Sequence, residues 1–298
     1  MFLTLVSGMF SVLGTSSNVK GIDMTWNENN EAEEYYEQGH VYYGQGQYQD
    51  AIDALKKATE LQPDYPNAYC GMGNIYYKLE QYQEAIDVLK KAAGLKPDFA
   101  EAYYGLGISY NGLQQWQEAV DAFKKAINLE TDADFIGYYN PDFAVAFMNM
   151  GNAYYMLGQY ADSLDAYKKA IDINSDYADA YIGMGKTYQY GSKQYHDAID
   201  AYRKAISVDP DCWEAYDGMG DVYLQLEQWQ KAVDACKKTI SIKPDHPDAY
   251  LWMGNAYEKL LQYQEAIDAY QEFVAIEPEG QVADLLREAI KELRIKLD

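Results

Sequence analysis

The sequence contains few of the residues that build metal sites, disulfide frameworks or nucleic-acid-binding surfaces. Its 298 residues include three cysteines and three histidines. Cys70, Cys212 and Cys236 form no C-x-x-C pair, so neither a zinc site nor a disulfide framework is expected, and no cofactor is predicted. Lysine and arginine number 24 against 47 aspartates and glutamates, which leaves a net charge of −23. Because nucleic-acid binding depends on basic side chains that neutralise phosphates, we expect no nucleic-acid partner.

The motifs that mark catalytic sites are also missing. The sequence has no phosphate-binding glycine loop, no H-E-x-x-H and no nucleophile elbow. His40, His196 and His246 stand apart from any cysteine or serine motif. Neighbouring carboxylates occur throughout, but in so acidic a chain they are expected by chance. We therefore expect no enzymatic activity.

The dominant feature of the sequence is a repeat of about 34 residues, clearest between Pro66 and Phe99. Gly73 marks this copy, and equivalent glycines are Gly39, Gly107, Gly151, Gly185, Gly220 and Gly254. The intervals between them are 34 residues, except for one of 44 and one of 35. A period of this length indicates a solenoid, in which each copy cannot bury its apolar face alone and uses its neighbour as core. The sequence therefore predicts seven stacked units.

Each copy contains two stretches in which apolar residues recur with helical spacing. In the second stretch of the marked copy, Ala85, Ile86 and Leu89 share one face. Pro97 is expected to end this helix, because proline cannot continue it. Asp98 and its equivalents after such prolines are expected to start the next helix as N-caps. The extra residue of the 35-residue interval is expected in the turn near Gly191.

These copies resemble tetratricopeptide repeats. In the marked copy, the bulky, glycine, tyrosine, alanine and proline positions of that family are held by Tyr69, Gly73, Tyr76, Ala85 and Pro97. Departures elsewhere are Ser163 at the alanine position, and Thr131 and Ser175 at the proline position. The resemblance implies an all-α, right-handed superhelical solenoid of seven helix pairs over residues 32–280. An insertion at about 131–143 interrupts the repeats, residues 1–31 form an apolar segment and connector, and residues 281–298 form a capping helix.

The resemblance also implies a function as a non-enzymatic scaffold. Members bind protein or peptide segments along a concave groove lined by the first helix of each pair. The groove residues expected here are Tyr36, His40, Tyr43, Asn74, Tyr77, Tyr104, Asn152, Tyr155, Lys186 and Asn255. The asparagines are suited to hydrogen-bond an extended backbone, since an amide both donates and accepts, although they would also serve simply to solvate the groove. Basic pairs on the second helices, such as Lys56–Lys57, are expected to be solvated on the convex face.

A second hypothesis is that the protein is a structural subunit that assembles head to tail into a homopolymer or filament. The two ends of a solenoid differ, and such heterologous contacts give rings or filaments. The apolar assembly candidates are Phe2, Leu3, Leu5, Val6, Phe10 and Leu13 near the start, Phe135, Tyr138 and Tyr139 in the insertion, and Leu286 and Leu293 in the last helix. The apolar start is too short to span a membrane. The sequence allows three roles for this segment: a cap, a contact with another copy or a targeting sequence. It does not decide between them, and the compartment is undecided for the same reason.

Overall fold

The computed structural model describes residues 24–129 and 143–297, with side chains from residue 31. The predictions for residues 1–23 and for Phe135, Tyr138 and Tyr139 lie outside these ranges. Every regular element within them is helical, as predicted. The helices are α1 (Met24–Gly44), α2 (Tyr48–Leu61), α3 (Pro66–Lys78), α4 (Tyr82–Leu95), α5 (Ala100–Gly112), α6 (Trp116–Leu129), α7 (Phe143–Met156), α8 (Tyr160–Ile173), α9 (Ala178–Lys186), α10 (Tyr195–Val208), α11 (Trp213–Gln225), α12 (Trp229–Ile242), α13 (Pro247–Lys259), α14 (Tyr263–Ile276) and α15 (Gln281–Leu297).

These helices form seven antiparallel pairs followed by α15, which confirms the predicted order. We call the odd-numbered helices α1 to α13 the A helices and the even-numbered helices α2 to α14 the B helices. Each A helix packs on its own B helix, and each B helix packs on the A helix that follows. Successive A helices also contact one another, whereas no comparable contact joins successive B helices in the described part of the chain. The A helices therefore line the inner surface and the B helices the outer one.

Each B helix inserts one side chain against a glycine of its own A helix, and in four of the seven repeats the same side chain also meets a glycine of the next A helix. Tyr167 of α8 is buried, and its ring lies against Gly151 of its own repeat and Gly183 of the next. A Cβ at Gly151 would lie 2.8 Å from Tyr167 Cδ1, and one at Gly183 would collide with the same ring. Leu89 of α4 occupies the same position between Gly73 and Gly105. Because interiors are close-packed, these contacts fix the distance between neighbouring repeats.

The prediction that aspartates cap the A helices is wrong. The N-cap residues are Tyr65, Phe99, Tyr177, Cys212 and His246, and none forms a side-chain capping hydrogen bond. Asp64 and Asp98 lie one residue too early, in the turn before the helix. Tyr65 and Phe99 are buried instead, so apolar burial of the N-cap side chain sets where the helix begins.

The extra residue of the 35-residue interval is accommodated near Gly191, as expected, but in a helical segment and not in the turn. Helix α9 continues into a π-helical segment, Thr187–Ser192, which absorbs the residue before the turn is reached. The turn itself is ordinary, because Lys193 has φ 55° and Glu80 and Gln114 at the same turn position have φ 59°. Single π-helical turns inside α-helices frequently mark functional sites.

The basic pairs of the B helices are exposed, but they also contact aromatic rings. Lys125 Nζ lies 4.2 Å from the ring centroid of Tyr103 in its own repeat, and Lys124 Nζ lies 5.4 Å from that of Tyr154 in the next. The same arrangement recurs for Lys57 over Tyr35, Lys91 over Tyr69, Lys204 over Tyr181, Lys90 over Tyr110 and Lys237 over Tyr257. Exposed cation–π contacts contribute about 0.5–1 kcal/mol each. The lysines of the B helices therefore connect neighbouring repeats in addition to keeping the outer surface hydrated.

We predict that Gly107→Leu destabilises the solenoid, whereas Gly94→Ala does not. A Cβ at Gly107 would lie 2.6 Å from Phe123 Cε1, and Phe123 is buried, so the added side chain has no space. Overpacking of this kind lowers the free energy of unfolding by about 1–3 kcal/mol. Gly94 is an exposed helical glycine with no atom within 4 Å of a Cβ, so alanine there should stabilise by about 0.5–1 kcal/mol. Urea unfolding followed by circular dichroism measures both, and equal stabilities for Gly107→Leu and wild type would contradict the packing.

Candidate functional site

The candidate site is the concave groove formed by the A helices. In its first four repeats the surface is mainly aromatic. Three groove tyrosines near the ends of α1, α3 and α7 are half-buried, and each lies beside the tyrosine that opens the following B helix. The pairs are Tyr43–Tyr48 with ring centroids 5.9 Å apart, Tyr77–Tyr82 at 5.8 Å and Tyr155–Tyr160 at 6.0 Å. The tyrosine pairs thus give the groove a series of tilted aromatic rings held by their neighbours.

Two predicted groove asparagines are oriented by tyrosines of the B helices. The Tyr167 hydroxyl donates to Asn152 Oδ1 at 2.5 Å. The Tyr270 hydroxyl donates to Asn255 Oδ1 at 2.8 Å and shares its hydrogen with Glu258 Oε2 at 3.2 Å. Each tyrosine ring is buried between helices, so its hydroxyl reaches the groove from behind. Both asparagines are exposed. Within the described residues, the Nδ2 groups have no protein acceptor, so they are presented to the groove as donors.

The other predicted groove residues have more varied surroundings. Tyr36 contacts His40 edge to face at 4.4 Å, and burial lowers the pKa of His40 while Glu37 opposes this shift. Tyr104 packs edge to face on the core residue Phe123, with ring centroids 5.9 Å apart. The remaining two are Asn74, half-buried on α3, and Lys186, exposed at the end of α9.

A polar network in repeats 5 and 6 was not foreseen from the sequence. The Tyr202 hydroxyl donates to Gln189 Oε1 at 2.8 Å, and Gln189 Nε2 donates to Asp221 Oδ2 at 2.6 Å. The Tyr190 hydroxyl donates to the same carboxylate oxygen at 2.9 Å. Gln189 and Tyr190 both lie in the π-helical segment, so the extra residue brings two side chains onto Asp221 of the next repeat. The 35-residue interval was the sequence signal for this network.

A second unforeseen contact joins repeats 6 and 7. His246 Nε2 lies 3.1 Å from Asp217 Oδ1, and both side chains are mostly buried. The His246 ring also packs on Trp213, with centroids 4.8 Å apart. Burial raises the pKa of Asp217 to about 6, against an opposing contribution from His246, and the nearby carboxylates Asp248 and Asp221 add to the increase. The surface of repeats 6 and 7 is therefore acidic, and Asp217 takes up a proton at a higher pH than an ordinary aspartate.

The last helix requires a correction to the assembly candidates. Leu286 and Leu293 are buried in the core with α14, so they offer no surface to another molecule. Helical periodicity identified the apolar arc but could not tell its buried part from its exposed part. The large apolar side chains that α15 exposes are Val282, Leu285, Ile295 and Leu297.

Neither a metal centre nor a membrane span is found in the residues that the structure describes. No group of three or more histidine, cysteine, aspartate or glutamate side chains in the described ranges is arranged to hold a metal ion. Over the same residues, every helix is too short or too polar to cross a bilayer.

Family models for tetratricopeptide repeats match most of the chain. One, described as a TPR repeat, matches residues 39–80, 73–114 and 151–189, and three described as tetratricopeptide repeat match 101–130, 183–247 and 219–291. The chain belongs to the tetratricopeptide repeat family. The resemblance to tetratricopeptide repeats that the sequence indicated is thereby confirmed. No curated protein matches the sequence significantly.

Solved structures of tetratricopeptide repeat proteins share the fold. MamA is 28% identical, with 62% of this chain and 93% of MamA covered and a TM-score of 0.54. YrrB, whose structure is described as having an unusual peptide-binding site, is 24% identical, with 66% and 96% covered and a TM-score of 0.54. A tetratricopeptide repeat protein from Parabacteroides merdae is 18% identical, with 89% and 99% covered and a TM-score of 0.61.

We predict that Asp217→Asn stabilises the protein more at about pH 8 than at about pH 4.5. The folded-state pKa of Asp217 is raised to about 6 from an ordinary value of 3.8, mainly by burial. The stabilisation that protonated Asp217 gives the folded state is therefore present in full below the unfolded pKa. It is lost as the pH rises through about 6, because burial then opposes the charged carboxylate. Asparagine keeps the shape without that charge. Thermal unfolding of both proteins at the two pH values measures the effect.

The exposed Asp245→Asn variant serves as the control for loss of one negative charge. It should show no comparable dependence on pH. A stabilisation by Asp217→Asn that is the same at both pH values would contradict the burial argument.

Proposed function

We propose that this protein is a non-enzymatic scaffold that binds protein or peptide segments along its concave groove. The observation that carries the proposal is the presentation of Asn152 and Asn255. Their oxygens are held by Tyr167 and Tyr270, and their amide groups point outward as oriented donors. Side chains that merely solvate a surface have no need of a buried tyrosine hydroxyl behind them. Exposed, oriented donors at one position of two repeats are suited to the carbonyls of an extended chain.

The aromatic side chains beside these donors support the same proposal. Asn152 and Tyr155 lie three residues apart on α7, so they share one face of the helix. Tyr155 packs on Tyr160 and keeps its ring half-buried, which limits the conformational entropy lost when a partner packs on it. Aromatic residues are enriched at protein interfaces for this reason among others.

We assign no catalytic step to the groove. Burial raises the pKa of the Cys70 thiol to about 12, so this buried cysteine of α3 stays protonated at neutral pH and is a poor nucleophile. His246, the histidine nearest to the acidic groove residues, is engaged with Asp217 and Trp213.

We predict that changing Asn152 and Asn255 to alanine weakens partner binding without loss of helicity. Wild-type protein is first screened against an array of random peptides of about 15 residues, long enough in extended form to cross several repeats. Each lost hydrogen bond contributes about 0.5–1.5 kcal/mol, so the double variant should bind the selected peptides roughly fivefold to a hundredfold more weakly. Calorimetric titration measures the affinities and circular dichroism the helicity.

The matched control is Asn128→Ala, because Asn128 is an exposed asparagine on the B helix α6. Its affinity for the same peptides should equal that of wild type. If the array yields no peptide, or if selected peptides bind the double variant as tightly as wild type, the groove is not the binding surface.

A second candidate function is head-to-tail assembly with a second copy. The observation that favours it is the exposed apolar surface at the end of the solenoid, where Leu285 is 63% and Ile295 75% exposed. A contact between this end and the opposite end of another copy is heterologous, so it continues into rings or filaments. The apolar residues 2–13 remain the other candidate contact.

For this second candidate we predict that the particles in solution have a mass above 33.9 kDa, the mass of one chain. The double variant Leu285→Glu, Ile295→Glu should be monomeric. Two charges on an apolar contact are strongly disfavoured when water is excluded. Ile173→Glu, also on an exposed apolar residue but in repeat 4, is the control and should assemble as wild type. Deletion of residues 1–17 tests the other end. Light scattering after size exclusion measures the mass, and a monomeric wild type at high concentration refutes assembly.

A further inference from the structure

We infer that the outer side of the solenoid carries a binding site for a phosphate group, in a cavity at the junction where repeat 5 meets repeat 6. The cavity has a volume of about 150 Å³ and is lined by His196 and Arg203 of α10 and by Lys231 of α12. Tyr223 of α11 and Gln228, which precedes α12, also line it. The site is independent of the proposed function, because its basic side chains belong to the B helices and not to the groove.

Two other junctions show the usual arrangement of charge between repeats. Where repeat 3 meets repeat 4, a hydrogen bond with Tyr154 raises the pKa of Lys124 most, against an opposing contribution from burial, and the carboxylates of Asp121 and Asp162 add to the increase. Asp162 belongs to the following repeat, so a carboxylate faces the lysine across the junction. The corresponding residues where repeat 6 meets repeat 7 are Lys237, Tyr257, Asp234 and Glu265.

The junction of repeats 5 and 6 has the opposite charge at the position of that second carboxylate. Lys231 occupies the position that Asp162 holds in repeat 4 and that is acidic in all six other repeats. Arg203 is the basic residue of repeat 5, and its Nη2 lies 3.4 Å from the Tyr223 hydroxyl oxygen. Lys231 Nζ lies 5.6 Å from the centroid of the same ring. Two cations therefore converge on one tyrosine, and an anion that contacts both would relieve their repulsion.

The cations of this cavity are poorly compensated within the described residues. Arg203 Nη1 lies 3.5 Å from Asp200 Oδ1, but both side chains are largely exposed, and such pairs contribute little. The Lys231 ammonium donates to the neutral Gln228 Oε1 at 2.8 Å and has no carboxylate within 4 Å in the described part of the chain. His196 adds a third basic side chain, at a position where five other repeats have a glutamine that donates to the aspartate four residues later.

The lining also supplies hydrogen-bond donors from several directions. Tyr223 is buried and accepts from Arg203, and its own hydroxyl hydrogen has no acceptor among the described residues. The Gln228 amide group is available as well, because Lys231 engages only the oxygen. A phosphate group carries a charge of about −1.5 to −2 and three acceptor oxygens, which suits two permanent cations and donors on several sides better than a planar carboxylate does. A cavity of this size holds one such group, so the molecule that carries it must extend outward.

The first test titrates the full chain with inorganic phosphate at low salt, where exposed charges are least screened. We expect wild type to bind with a dissociation constant of about 1 mM or lower in a calorimetric titration. Lys231→Glu restores the acidic residue of the other repeats and should weaken binding at least about tenfold. Because this change replaces a repulsive contact by an attractive one, the melting temperature in chloride should not fall below that of wild type.

The matched control is Lys238→Glu, because Lys238 is exposed on the same helix and lies outside the cavity. It changes the net charge by the same amount, so any effect on the long-range attraction of anions is equal in the two variants. Its phosphate affinity should stay close to that of wild type. Equal affinities of the two variants, or no heat of binding with wild type, would overturn the inference.

The second test identifies the source of the phosphate group with three peptides that differ only in a central phosphoserine, glutamate or serine. A phosphorylated partner is the source if the phosphoserine peptide binds at least about tenfold more tightly than the serine peptide and loses this advantage with Lys231→Glu. Binding of inorganic phosphate without that preference also supports the site and assigns it to a small phosphate compound. Glutamate and phosphoserine peptides of equal affinity, both above serine, would show a carboxylate site and overturn the phosphate assignment.

Discussion

The structure depends on one packing contact, the side chain that each B helix inserts against a glycine of its own A helix and, in four of the seven repeats, against a glycine of the following A helix as well. The largest inserted side chains are tyrosines, as Tyr167 between Gly151 and Gly183. The glycines allow the helices to approach, and the inserted side chain excludes any other distance. Because the contact spans two repeats, it couples them directly. The curvature of a solenoid is the sum of such steps, so a groove exists only because this contact repeats with small variation.

Variation in the inserted residue changes the groove on the other side. Where it is leucine or phenylalanine, as Leu89 or Phe123, the contact is purely apolar. Where it is tyrosine, as Tyr167 or Tyr270, the hydroxyl passes between the helices and holds a groove asparagine. The same position thus serves packing in every repeat and orients surface groups in some. Core and groove are therefore not independent in this protein, and a core substitution that conserves volume can still alter the binding surface.

The π-helical segment shows how a small departure from the repeat produces local chemistry. One extra residue in repeat 5 places Gln189 in a buried position and Tyr190 at the surface, and both bond Asp221 of repeat 6. Beyond this point the groove turns from aromatic to acidic. The tyrosine series and the acidic cluster therefore meet where the repeat is irregular, which gives the groove two chemically different halves.

The sequence by itself determined the repeat, its register, the pairing of helices and the cap, because a period of about 34 residues with glycine at one position admits few other ways to bury the apolar faces. It also identified Asn152 and Asn255 by position. What only the tertiary structure decided was which partners side chains find on other helices. The tyrosine hydroxyls behind the asparagines, the lysines over aromatic rings and the pair His246–Asp217 join residues 15 to 30 positions apart. Such contacts depend on the exact offset between helices, and a one-dimensional pattern does not contain that offset.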